Sequence, residues 1–152
     1  MAAKLHLYLD TSVISAHVDD RDSGRQEMTH RFWLLLPQYD GHICPLVTDE
    51  IAKTQDESRW AEMLALVRPL IVLPWQDEME RLAEAYVAQA AFTPALIQDA
   101  RHVAAAVVSG IPILLSWNFR HLVNRTRRIR VNLVNSERGY GQIEIIAPPE
   151  LA

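Results

Sequence analysis

The strongest constraint on this chain is the alternation of short apolar runs with longer amphipathic ones. Residues 5–9, Leu-His-Leu-Tyr-Leu, alternate and predict a first strand ending at Asp10. Residues 41–47, 70–73 (Leu-Ile-Val-Leu), 112–115 and 143–146 predict four more strands. Helical patterns lie between them. Residues 25–36 carry an apolar face of Met28, Phe32, Leu35 and Leu36. Thr48 offers an N-cap, with Asp49 and Glu50 in the first turn of the helix it opens. Residues 58–67 and 77–91 predict two further helices. Thr93-Pro94 opens another that runs to Val108, with Gly110 as its stop. One or two helices follow across 118–128 and 131–139, and Pro148-Pro149 ends the regular structure.

Short strands rich in Ile, Leu and Val, separated by helices, place the chain in the α/β class. The expected architecture is an α/β/α sandwich with a mainly parallel sheet. The 152 residues suffice for one domain, residues 1–147, followed by a short tail, 148–152. A 49% hydrophobic and 22% charged composition excludes wholesale disorder. Cys44 is the sole cysteine, which excludes a disulfide scaffold. The net charge of −4 argues against a general basic coat for nucleic acid, though not against a local patch. The apolar stretch from Val103 to Leu115 is broken by Ser109, Gly110 and Pro112 and is too short to span a bilayer. No signal-peptide pattern opens the chain, so a cytoplasmic protein without a membrane partner is expected.

Ligands of parallel sheets bind beyond the carboxyl ends of the strands. Three polar groups follow predicted strands: Asp10-Thr11-Ser12, Asp49-Glu50 and Ser116-Trp117-Asn118. A fourth acid, Asp99, lies near the start of the long helix leading to strand 112–115. Each also has a plain structural role. Asp-Thr-Ser and Asn118 are ordinary helix caps, and Glu50 complements a helix dipole. Their convergence on one rim is the informative feature. Clustered carboxylates repel unless a cation lies between them, and an oxygen-rich set suits Mg²⁺ or Mn²⁺.

The ordered motifs Leu-Tyr-Leu-Asp-Thr-Ser-Val-Ile-Ser (7–15), Asp99-Ala-Arg-His-Val-Ala-Ala-Ala and Ile-Leu-Leu-Ser-Trp-Asn-Phe-Arg-His-Leu-Val-Asn (113–124) resemble the PIN-domain ribonucleases, the group that includes the VapC toxins. The Val134-Asn135-Ser136, Gly139-Tyr140 and Ile143-Glu144-Ile145 segments continue like one PIN subgroup's tail. The resemblance implies a metal-dependent endoribonuclease, with Asp10 the central ligand and Asp99 and Glu50 completing the cluster. Thr11 or Ser12 would hold a metal-bound water or the phosphate. Asn118 departs from the pattern, because many members carry aspartate after the equivalent tryptophan. The resemblance also implies a homodimer and an antitoxin partner. Hydrolysis of a phosphodiester needs an activated water and neutralised phosphoryl charge, and a divalent cation supplies both. His102 and His121 read as packing or hydrogen-bonding residues rather than catalysts.

Residues 117–130 hold Arg120, Arg125, Arg127, Arg128 and Arg130 and no acid. They start beside Asn118 and are candidates for binding RNA phosphates, with a solvated helix face as the plain alternative. Trp117 is either a base-stacking surface or a packed anchor. A receiver domain would want an aspartate after the third strand and a late lysine; Leu73-Pro74-Trp75 and the lack of lysine after Lys53 argue against it. A dinucleotide fold would want glycines after strand one, and there are none. The remaining rival is a PIN-like module that binds RNA or protein and cleaves poorly.

Overall fold

A computed structural model describes residues 3–151. Met1, Ala2 and Ala152, at the ends of the expected domain and tail, lie outside the described residues. Five parallel strands form one sheet: β1 (His6–Leu9), β2 (Asp40–Ile43), β3 (Ile71–Val72), β4 (Ile113–Leu115) and β5 (Glu144–Ile146). Their order is β3-β2-β1-β4-β5. The chain therefore builds outward from β1 on one side and then crosses to β4 on the other. The reversal makes the β1/β4 boundary a topological switch point, where the carboxyl ends of two neighbouring strands open a crevice.

Among the described residues seven α-helices cover the sheet: α1 (Thr11–Val18), α2 (Ser23–Leu35), α3 (Pro45–Ala52), α4 (Glu57–Val67), α5 (Asp77–Ala88), α6 (Ile97–Val108) and α7 (Arg125–Glu137). α1 packs on α2, α3 and α4, and α5 packs on α6 and α7. These two groups sandwich the strands, giving the α/β/α architecture read from the sequence. Leu7, Tyr8 and Leu9 of the central strand and Leu114 and Leu115 of β4 are fully buried. Gly41 of β2 sits close under its neighbours: a Cβ there would stand 2.9 Å from Leu70 Cδ2, and that side chain would have to shift.

Four local expectations are corrected or completed by the structure. α1, whose cap the sequence placed at Asp10-Thr11-Ser12 without giving the helix a span, runs to Val18; its Val13, Ile14 and Ala16 are buried, so it lacks a polar face of helical period. The second strand ends at Ile43, and α3 starts at Pro45 with Cys44 as N-cap, so Thr48 is a mid-helix residue. Proline fits N1 because that position needs no N–H donor. Residues 118–124 form turns, and a single helix, α7, covers the rest of the segment read as one or two helices. Pro148–Leu151 adds a 3-10 turn packed on α2 rather than ending the structure.

Candidate active site

Asp10 leaves β1 at the switch point with its side chain 8% exposed. Its Oδ2 accepts hydrogen bonds from Ser12 Oγ (2.9 Å) and Ser116 Oγ (2.7 Å). Ser12 lies in the first turn of α1 and Ser116 directly follows β4, so one carboxylate oxygen ties both strand ends together. The hydroxyls also accept. Trp117 N donates to Ser12 Oγ at 2.9 Å, and Asn118 N donates to Ser116 Oγ at 3.0 Å.

On the other side stands a buried chain of polar groups. His102, in the middle of α6, places Nε2 2.7 Å from Glu50 Oε1 and 3.9 Å from Asp10 Oδ1. Its Nδ1 lies 2.7 Å from the Tyr8 hydroxyl, which lies 3.1 Å from Cys44 Sγ. Burial opposes charge on His102, but the neighbouring Cys44 side chain, the hydrogen bond to Glu50 and the charges of Asp10 and Glu50 raise its pKa to about 10. Burial likewise opposes charge on Glu50, yet the His102 hydrogen bond and charge outweigh it and hold the carboxyl below its ordinary value. Asp99 sits in the first turn of α6, one turn before His102. Burial, then the charge of Asp10, push its carboxyl above the ordinary range. Asp10, Glu50 and Asp99 thus share one electrostatic neighbourhood around an imidazole.

These are oxygen donors of the kind Mg²⁺ and Mn²⁺ take. Among the described residues no three His, Cys, Asp or Glu side chains converge tightly enough to enclose an ion. Mg²⁺ asks for less, commonly one or two carboxylates with water filling the remaining positions. The coupled Asp10 and Asp99 can supply that pair. Thr11 Oγ1 is buried beside the Glu50 carboxylate. The oxygen donors of Asp10, Asp99 and Glu50 fit a hard divalent ion in their chemistry.

Asn118 is placed differently. Its Oδ1 accepts from His121 N at 2.9 Å, so the oxygen caps the following turn instead of facing the acids. With Ser12 it lines a groove of about 500 Å³ beside the acidic centre. Trp117 is the packed anchor: it is buried, and its Nε1 donates to Thr29 Oγ1 at 2.9 Å.

The arginines divide. Arg127 donates through Nε to His121 O (2.7 Å) and through Nη1 to Ala91 O, and it stacks 4.3 Å from the centroid of the Phe92 ring. Burial lowers its pKa, and the charge of Asp99 works the other way. Arg128 donates to Ile145 O and Arg130 to Ala90 O. Ala90 holds a left-handed turn (φ 61°), so α7 fastens a strained connection. Arg120 and Arg125 are exposed. Arg120 lines the groove beside Asn118.

The sequence reading did not give Ser116 or Tyr8 a role at the site. Ser116 carried a signal, since it is the first residue after the fourth strand. Tyr8 carried none, because its alternating position reads as core.

No protein-family model matches the chain, and no curated protein matches it by sequence. Solved structures do. VapC20 of Mycobacterium tuberculosis, described as a sarcin-ricin loop cleaving toxin, aligns with TM-score 0.62 at 16% identity, over 91% of this chain and 98% of that one. This chain has a VapC-like PIN-domain fold. VapBC2 of Rickettsia felis, solved bound to a DNA fragment from its promoter, aligns with TM-score 0.59 at 9% identity, over 93% of this chain and 97% of that one. The sequence-based recognition of a PIN fold agrees with both likenesses. No helix among the described residues is long and apolar enough to cross a membrane.

Proposed function

We propose that the protein is a PIN-type endoribonuclease that hydrolyses RNA phosphodiesters with a carboxylate-held Mg²⁺ or Mn²⁺, and that it serves as the toxin of a toxin–antitoxin pair. The observation that carries the reading is Asp10: a buried carboxylate at the switch point, oriented by two serines and sharing its neighbourhood with Asp99 and Glu50. A divalent cation bound there supplies charge neutralisation at phosphoryl oxygens and a more acidic water. The chain's own residues do the rest. Asp10 and Asp99 hold the ion, Ser12 and Ser116 fix the Asp10 carboxylate, and His102 fixes Glu50 at the edge of the pair. Arg120 meets a flanking RNA phosphate. The toxin role is supported by likeness to VapC20 and VapBC2, and implies an antitoxin partner and a homodimer.

Asn118 favours one second reading, a PIN-like module that binds RNA or protein and cleaves poorly, because its oxygen is spent on the turn to His121. Incubation with a mixed set of labelled RNAs, in Mn²⁺ and in chelator, separates the two. Metal-dependent cleavage supports the nuclease. A folded protein that neither cleaves RNA nor binds Mn²⁺ supports the module.

A further inference from the structure

Phe119 is out of place as a core residue. It is 50% exposed, although it directly follows the tightly fixed Ser116–Asn118 turn. Its ring meets that of buried Trp117 edge-on, with centroids 6.0 Å apart, which holds the exposed face in a fixed orientation. Two grooves share it. One contains Ser12, Ser15, Asn118 and Arg120; the other runs toward Met28, Arg128 and Pro149; Arg25 borders both. The first groove, at about 500 Å³, lies in the size range of small-ligand sites.

The groove is lined by donors together with two carboxylates, Asp19 and Asp22. With its Oδ1 committed to His121 N, Asn118 presents its NH₂. Arg25 and Arg120 add guanidinium groups; Asp22 is paired with Arg25 at 3.8 Å and Asp19 with Arg21 in a bidentate pair, which among the described residues leaves Arg120 as the cation not engaged by a lining carboxylate. The groove is also continuous with the acidic centre through Ser12, whose hydroxyl donates to Asp10. The hollow on the opposite side has another character. It is lined by Asp49, Trp75, Glu80 and Arg101, and Arg101 is already paired with Glu80 at 2.9 Å. That side repels a polyanion.

The geometry points to a base-binding subsite: the unpaired base of the RNA nucleotide next to the phosphate at Asp10 stacks on Phe119, Asn118 donates to its edge, and Arg120 holds its phosphate. Single-stranded RNA is the occupant because a stacked base needs an open face, a donor-rich edge and a cation together. The subsite rests on the nuclease reading for its register but is tested without catalysis.

Single-stranded RNA carrying 4-thiouridine is bound to the wild-type protein in chelator and irradiated, and the cross-linked residue is located by mass spectrometry. The cross-link is expected at Phe119. Phe119→Ala should weaken RNA binding about tenfold, and Phe119→Tyr should retain it. Phe119 is half exposed, so circular dichroism should show both variants folded. Cross-linking confined to Trp75 or the Arg101 side, unchanged affinity of Phe119→Ala, or no RNA binding would each overturn the subsite. RNA bound at Phe119 without metal-dependent cleavage would instead defeat the nuclease reading and leave the subsite standing.

Discussion

Ser116 donates to Asp10 Oδ2 at 2.7 Å across 106 residues of sequence, and this bond joins the ends of the two strands that flank the switch point. The same hydroxyl accepts from Asn118 N. Ser116→Ala should therefore cost about 1–3 kcal/mol of stability, since the buried Asp10 carboxylate loses a donor and the partly buried Asn118 N–H its acceptor. Activity should fall by about 10–100-fold, the usual penalty when a group that orients a ligand is lost. Urea unfolding and RNA cleavage measured on one preparation check both numbers. Unchanged activity would mean that Ser12 alone orients the carboxylate.

Asn118→Asp should leave the fold intact, because aspartate accepts the His121 N–H equally well. Its second oxygen replaces the NH₂ that faces the groove. Mn²⁺ affinity should rise, since a negative charge is added beside the Asp10 rim. Affinity for single-stranded RNA should fall, since a donor becomes a charged acceptor. Isothermal titration with each ligand reads both directions, and a change in neither would place the side chain outside the site.

Arg127 and Arg120 should behave oppositely. Arg127→Ala removes donors from Ala91 O and His121 O together with the stack on Phe92, and should destabilise the protein by about 1–3 kcal/mol. Arg120→Ala should leave the melting temperature unchanged and weaken RNA binding. It should also flatten the salt dependence of that binding, because one phosphate contact is gone. Equal loss of stability in both variants would show that Arg120 too is structural.

His17 of α1 contacts the His30 ring of α2 at 4.2 Å, and burial followed by the His30 charge lowers its pKa. Between that lowered value and the unfolded one, about 6.5, the unfolded chain binds more protons than the folded chain. Stability from this group is thus full above about pH 6.5 and declines as pH falls through the window. Denaturation midpoints at pH 7.5 and 5.5 should differ in the wild type, and the difference should shrink in His17→Gln. An equal difference in both proteins would remove His17 as the cause.

The strands were legible in the sequence because five short apolar runs bounded by turns and prolines have few alternatives in a chain of this length. The helices α4, α5 and α6 were legible from period and caps. α1 was not, because a short helix buried between layers is apolar without a helical stripe. The start of α3 was obscured for a related reason: Ile43 to Val47 reads as one apolar run, and only Pro45 marks the change. At the site, Asp10 followed from the rule about strand ends, whereas Asp99 was read from the start of the long helix leading to β4, and Glu50 from a first helical turn that the structure moves back to Pro45. The partners that orient them were not legible. Tyr8 and His102 are 94 residues apart, and their bond depends on how α6 packs against β1. The arginine cluster shows the same limit. Its charge was plain, but the division into carbonyl-binding and exposed members depends on the turn at Ala90 and on where α7 lies.

The central claim is that the Asp10 carboxylate carries a metal-dependent cleavage. The direct measurement compares the wild type with Asp10→Asn on the same labelled RNA pool, with Mn²⁺ and with chelator, alongside their melting temperatures. Wild-type cleavage that disappears in chelator and in Asp10→Asn, with the variant still folded and melting within a few degrees, is the predicted result. Equal cleavage by both proteins, or a loss explained by unfolding of Asp10→Asn, would contradict it.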